Sequence, residues 1–406
     1  MRTFLRSARA LRPARRGAAT RAAAAVIAAA AAAPLHAQGS LGMQGFGYPT
    51  GQLSTRVLGT GGGLAEFDAS SPLNPAALGG IGRVVLGVQY DPEWRRVTLG
   101  SVAQRATIAR FPLIGVGIPV RQRYGVSIAA STYLDRSFTT ERQTTTAIGD
   151  ETVNATERVE SRGSIADVRL AVGAVATRWL RVGIAAHALT GGNRLLSARS
   201  FGDTTRFGGV SDSSTLDYSG LALSAGIEVT PLRGVSFAGS ARRGGALRTQ
   251  RDDSTLTRGD APDRYGLGVR IDRVTGATFA ASWARTAWTN MRGLADPRPG
   301  RTPFDVRDTD ELMVGVEAVG PRVGDNVILL RLGGRDRDLP FGVQGSGVRE
   351  RALTGGLGIP FVGGRALADL AVQRAARTPR GGDAASAARD ARESAWTLSV
   401  GFTVRP

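Results

Sequence analysis

Two histidines, His36 and His187, and no cysteine at all set narrow limits on the chemistry this chain can carry. Without thiols there are no disulfides, thiolate nucleophiles or cysteine–zinc sites. Lysine is also absent, so all 52 basic residues are arginine. That removes Schiff-base lysines and the phosphate-binding lysine of a P-loop. Serine hydrolysis needs a base beside the nucleophile, and His187 is the one histidine left once His36 is assigned to a leader. Nothing in the sequence around His187 assigns it a serine or carboxylate partner. It therefore reads as a polar lining residue, and the chain as a non-enzyme; hydrolysis would require His187 to sit beside a nucleophile. Asp252-Asp253 and Asp308-Thr309-Asp310 lack EF-hand spacing and read as solvated charge, so no metal or cofactor is expected.

The formal charge of +18 raises the question of nucleic acid. Seven arginines and no acid fall in residues 1–37, so the remainder carries +11. The later arginines alternate with acids, as in Arg335-Asp336-Arg337-Asp338 and Arg389-Asp390-Ala391-Arg392-Glu393. A duplex-binding surface needs a concentrated basic stripe to displace counterions, and no nucleic-acid partner is expected.

Residues 1–37 have the three parts of a secretory signal peptide. Arginines come first, an apolar run from Ala22 to Ala33 follows, and Pro34-Leu35-His36-Ala37 offers the cleavage site. Those 12 apolar residues are too few to span a hydrocarbon core of ~30 Å. No later segment approaches the ~18 consecutive apolar residues of a spanning helix. If this protein enters a membrane, it does so as strands.

The elements that would hold any site recur along the chain. Gly125-Val-Ser-Ile-Ala-Ala-Ser131 is echoed at Arg181–His187, Gly234–Ser240 and Gly276–Ser282, and more loosely from Asn326 and Arg365. The starts are separated by 56, 53, 42, 50 and 39 residues. Each copy follows a short turn, and each turn follows another alternating segment: 113–120, 166–176, 221–229, 265–271, 312–319 and 353–361. The period is 2, as a sheet with two unlike faces requires. Leu221, Leu223, Ala225, Ile227 and Val229 share one face, and Ala222, Ser224, Gly226, Glu228 and Thr230 the other. Six such hairpins, a strand carrying Val84, Leu86, Val88 and Tyr90, and a last strand from Trp396 to Val404 total fourteen.

The reading is an all-β fold: a transmembrane antiparallel β-barrel of about fourteen strands over 82–406, with residues 38–81 as an N-terminal plug or hatch. Short turns alternate with long polar segments near 91–104, 139–155, 195–213, 244–262, 289–308, 336–350 and 377–393, matching short periplasmic turns and longer outer loops. A soluble propeller needs four strands per period where this chain has two; alternation alone does not separate a barrel from a sandwich, but the export signal and loop asymmetry do. Tyr124, Trp179 and Phe361 fall by the short turns, and Tyr90, Trp94, Trp283, Trp288 and Trp396 by the long segments, as interfacial aromatics do. The plug residues are glycine-rich and lack a core; the alternative is a periplasmic tail. By parity, His187, Glu228, Arg242, Arg270, Asp272, Glu317, Arg331 and Asp369 are the candidate lumen-facing polar residues, suited to bonding plug to wall or hydrating a channel.

The run Asp68-Ala-Ser-Ser-Pro-Leu-Asn74-Pro75-Ala76-Ala77-Leu78 resembles the Asn-Pro-Ala segment of the FadL-type outer-membrane transporter superfamily, including its PorV/PorQ-like relatives. The resemblance implies a fourteen-stranded barrel in outer-membrane lipid, with Asn74, Pro75 and Ala76 in a hatch near the wall. It implies passive uptake of a small hydrophobic ligand or, in the PorV-like alternative, a scaffold or shuttle binding an exported protein partner. Two features depart from the pattern: the outer segments are charged, and the chain ends in Val404-Arg405-Pro406 with Phe402 as the last aromatic. Export predicts a mature chain beginning at Gln38, readable as the intact mass of protein extracted from outer membranes; a mass retaining residues 1–37 contradicts it.

Overall fold

A strand whose side chains alternate between oily and polar has one face for lipid and one for an enclosed interior. The computed structural model describes residues 41, 46–99, 102–148, 151–202, 206–252, 254–294, 306–324, 326–343, 346–361, 363–380 and 391–405. The expected leader and its cleavage site at Ala37 lie outside the described residues, as do 38–40 and 42–45 of the expected plug.

Among the described residues seventeen strands form: β1 (Tyr48–Pro49), β2 (Val85–Leu99), β3 (Val102–Val120), β4 (Tyr124–Asp135), β5 (Phe138–Ile148), β6 (Glu151–Thr177), β7 (Leu180–Phe201), β8 (Val210–Leu232), β9 (Val235–Arg251), β10 (Ser254–Asp260), β11 (Asp263–Val274), β12 (Ala277–Ala287), β13 (Thr309–Val323), β14 (Asn326–Val343), β15 (Ser346–Phe361), β16 (Ala366–Pro379) and β17 (Arg392–Val404). Fourteen of them make a closed antiparallel transmembrane barrel. β4 pairs with β6, and β9 with β11, bypassing the short β5 and β10. The ring closes where β17 meets β2, with Trp396 opposite Trp94 and Phe402 opposite Val88. Closure leaves no strand edge unpaired inside the bilayer, the condition for crossing it with strands.

The outer face is apolar. Ile184 is 68% exposed, Leu221 68% and Leu353 74%. Tyr124 and Trp179 stand out from the wall beside the short turns, and Trp94, Trp283 and Trp396 toward the other end. Trp288 departs from this pattern. It opens a 3-10 helix, Trp288–Leu294, that turns inward past the end of β12. There it stacks on Tyr133 at 5.7 Å between ring centres and donates its indole N–H to Thr309 at 3.1 Å. Buried tryptophan needs such a partner for its N–H, and the lumen supplies one where lipid would not.

The long polar segments are mostly strand, contrary to their reading as loops. β6 has 27 residues and β8 has 23, where a tilted crossing needs about 9–11. The reason lies in their charges. Glu141 faces Arg158 across β5 and β6; Asp336 faces Arg351, and Arg337 faces Glu350, across β14 and β15. Opposite charges directly across a ladder stabilise it by roughly 0.2–1 kcal/mol per pair. The alternation of Arg with Asp and Glu thus extends the wall beyond the membrane.

The inner face carries glycine where the N-terminal segment touches it. A Cβ on Gly183 would lie 2.4 Å from the Pro75 carbonyl carbon, and one on Gly333 2.2 Å from that of Thr60. Only a bare backbone lets the segment approach so closely. Gly183→Val should therefore destabilise the barrel by about 1–3 kcal/mol through overpacking. Gly87→Val, with nothing within 4 Å of the new Cβ, should be near neutral. On the outer face, Ile184→Arg should cost about 2–4 kcal/mol if it sits at mid-membrane depth. Urea titration of the protein folded into lipid vesicles measures all three; equal effects of the two valines would contradict the packing described here.

Candidate functional site in the lumen

Residues 46–81 run inside the ring and bond to strands all around it. Ser54 caps the short helix α1 (Thr55–Gly59), accepting from the Val57 N–H at 3.3 Å, and donates to Asp68 at 2.8 Å. Asp68 also accepts from the Ser71 N–H and hydroxyl, each at 2.9 Å. One carboxylate thus folds the segment back on itself. From α1, Thr55 shares a hydrogen bond with Ser399 on β17 at 2.9 Å. Arg56 grips Glu317 on β13 with two bonds, 2.9 and 2.6 Å long. The planar guanidinium suits this two-point grip better than an ammonium would.

Asn74 shows why its motif has the residues it has. Its side-chain oxygen accepts from the Ala76 N–H at 3.0 Å, capping the 3-10 helix Pro75–Gly80. Its amide donates to the carbonyls of Glu66 at 2.9 Å and Ile227 at 3.3 Å. Only a side chain with both donor and acceptor does all three. Pro75 starts the helix where a missing N–H costs nothing, and Ala76 is fully buried against the wall.

The polar residues predicted to face inward fall into three separate groups. Arg331 donates to Glu317 at 2.7 Å and to Asp369 at 2.5 Å, forming one network with Arg56. Glu228 accepts from Arg181 at 3.0 Å and has Arg270 at 3.6 Å; Arg270 donates to Asp272 at 2.9 Å, and Asp272 itself lies exposed by the β11–β12 turn. Arg242 donates to Asp167 at 2.9 Å, and the same carboxylate meets His187. These residues bond plug to wall or wall to wall and do not converge on one ligand.

Sequence reasoning missed a larger cluster. The Tyr48 ring has the guanidinium carbons of Arg95, Arg110, Arg337 and Arg377 at 5.3, 5.4, 5.1 and 4.5 Å from its centre. Their charge is met by Glu93, Glu350 and Glu393. Tyr48 donates to Glu350 at 2.9 Å and accepts from Arg337 at 2.6 Å. Parity along β2, β14, β15 and β16 marks these charges as inward, but only the register brings them together. Asp167 and Ser224, both against His187, were missed for the same reason.

Between plug and wall lies a cavity of about 70 Å³. Leu53, Leu73, Tyr133, Trp288 and Met313 supply apolar lining; His187, Ser224, Arg242 and Arg264 supply polar lining. Among the described residues, no group of three or more His, Asp or Glu is placed to hold a metal ion.

No family model matches this sequence, and a search of curated proteins returns no match. Solved structures do match. A FadL homologue from Pseudomonas aeruginosa aligns with a TM-score of 0.59 at 11% identity, over 88% of this chain and 99% of that one. The CymD monoaromatic hydrocarbon channel aligns at 0.54 and 13%, over 86% and 98%. The Pseudomonas putida toluene transporter TodX aligns at 0.52 and 12%, over 90% and 100%. At such identities the likeness is one of fold, and it extends over essentially the whole of each neighbour. The chain has the fold of the FadL-type outer-membrane transporters.

Proposed function

We propose that this chain, exported by the leader in residues 1–37, is an outer-membrane barrel for passive uptake of small hydrophobic molecules, with residues 38–81 as its hatch. The observation that carries this reading is the cavity between plug and wall, part apolar and part polar in its lining, set in a fold shared with a protein named as a toluene transporter and another named as a monoaromatic hydrocarbon channel. A cavity of roughly 150 Å³ accommodates one benzene, about twice the volume here. A permeant of that size therefore requires the hatch to shift. The hatch's ties to the wall are non-covalent: hydrogen bonds, the part-exposed Arg56–Glu317 pair and the buried Glu66–Arg264 pair.

The absence of native cysteine makes this directly testable. Thr55 and Ser399 have their hydroxyl oxygens 2.9 Å apart, so Thr55→Cys with Ser399→Cys places two thiols within bonding reach. Oxidised, this variant should lose toluene uptake into whole cells by at least about tenfold, and reduction should restore it. Unchanged uptake with the disulfide formed would refute a moving hatch.

A further inference from the structure

His187 stands in line between a carboxylate and a hydroxyl. Its Nδ1 is 2.9 and 3.1 Å from the two Asp167 oxygens, and its Nε2 is 2.8 Å from the Ser224 hydroxyl. The three residues come from adjacent strands, β6, β7 and β8. His187 is opposite Arg169 on one side and Ala222 on the other, so Asp167 and Ser224 are each its diagonal neighbours on the inner face, within reach of a long side chain. All three are buried, Asp167 at 0% exposure and His187 at 2%.

The hydrogen-bond direction follows from the chemistry. Asp167 accepts from Arg242 at 2.9 Å and from Gln52 at 3.0 Å, and an ionised carboxylate can only accept. The imidazole hydrogen therefore sits on Nδ1, which leaves the Nε2 lone pair facing the serine hydroxyl. A nucleophile, a base and a group orienting the base is the arrangement of serine acyl transfer, recognised by geometry and not by fold. Ser224 and His187 both line the cavity, as does Arg242, whose buried Nε and Nη2 have no hydrogen-bond partner. Arg242 is directly opposite Ser224 in the β8–β9 ladder, with its guanidinium over the Tyr133 ring at 4.9 Å; unsatisfied buried donors are costly, and these are the donors available to an oxyanion at Ser224.

We propose that Ser224, His187 and Asp167 form a hydrolytic site for esters with a short, uncharged acyl group, the size being set by the cavity. The Ser224 oxygen attacks the carbonyl carbon as its proton passes to His187 Nε2, and Arg242 donates to the oxyanion. Collapse expels the alcohol, which takes that proton, and leaves an acyl-serine. Water, activated by the same Nε2, then attacks the acyl-serine; collapse frees the carboxylic acid and returns a proton to Ser224. Ser224 is the nucleophile and His187 the base; Asp167 is a positioning residue. The proposal does not rest on the uptake reading.

The test uses the mature chain folded in detergent, with methyl acetate, an ester matched to the small cavity, as substrate (acid release followed by pH-stat) and a methyl-substituted fluorophosphonate as covalent probe. Intact mass and peptide mapping should find one probe adduct, on Ser224. Ser224→Ala, nearly isosteric, should abolish the adduct and lower acetate hydrolysis by at least about 100-fold, with heat-modifiable mobility on gels unchanged. Asp167→Asn should lower the rate at neutral pH and leave one that rises with hydroxide concentration, since the amide no longer fixes the tautomer. No adduct on the wild type, an adduct elsewhere, or hydrolysis undiminished in Ser224→Ala would overturn the assignment.

Discussion

Inside a bilayer no water is available to satisfy a backbone N–H or C=O, so every such group must find its partner within the protein. For strands this leaves the closed ring, and much else in this molecule follows from closure. The ring needs the last strand to meet the first, which β17 and β2 do over most of their length. It needs each strand to keep one face for lipid, which a period of 2 provides. Breaking the apolar–polar alternation at one position puts a polar group in oil or an oily one in the lumen.

Closure also creates an interior to be filled. Fourteen strands enclose more space than their own side chains occupy, and here the space is shared between the N-terminal segment and long arginines. Buried charge is costly unless paired. The lumen answers with networks: Arg56, Arg331, Glu317 and Asp369 at one place, and the arginines around Tyr48 with Glu93, Glu350 and Glu393 at another. Arginine serves such networks better than lysine because one side chain bridges two carboxylates, as Arg331 does. Elsewhere the segment meets the wall through neutral hydrogen bonds, as Thr55 does with Ser399, and against glycine, as at Gly183 and Gly333.

The fourteen strands were legible because alternation is local: each segment from 113–120 to 396–404 announces its own two faces. The same rule singles out the face that carries His187, Glu228, Arg242 and Arg331, all buried, but it fails at Asp272, which is exposed by the β11–β12 turn. What was not legible depends on register. Glu141 and Arg158 read as loop charges until they are placed opposite each other. Asp167 and Ser224 are 20 and 37 residues from His187, distances without meaning until β6, β7 and β8 are laid side by side. Trp288 was read as interfacial from its place beside a long segment, but the chain leaves β12 at Ala287 and turns inward as a 3-10 helix that carries it into the lumen.

The height of the wall has a consequence for how molecules reach the lumen. At about 3.3 Å per residue and a tilt near 45°, the 27 residues of β6 rise roughly 60 Å, against an apolar band of about 25 Å. The wall is therefore uneven: it stands well clear of the oil along β6 to β8, whereas β11 and β12, with 12 and 11 residues, rise little above it. A solute approaching over the tall side has left the oil behind, while one approaching over β11 and β12 is still close to its level.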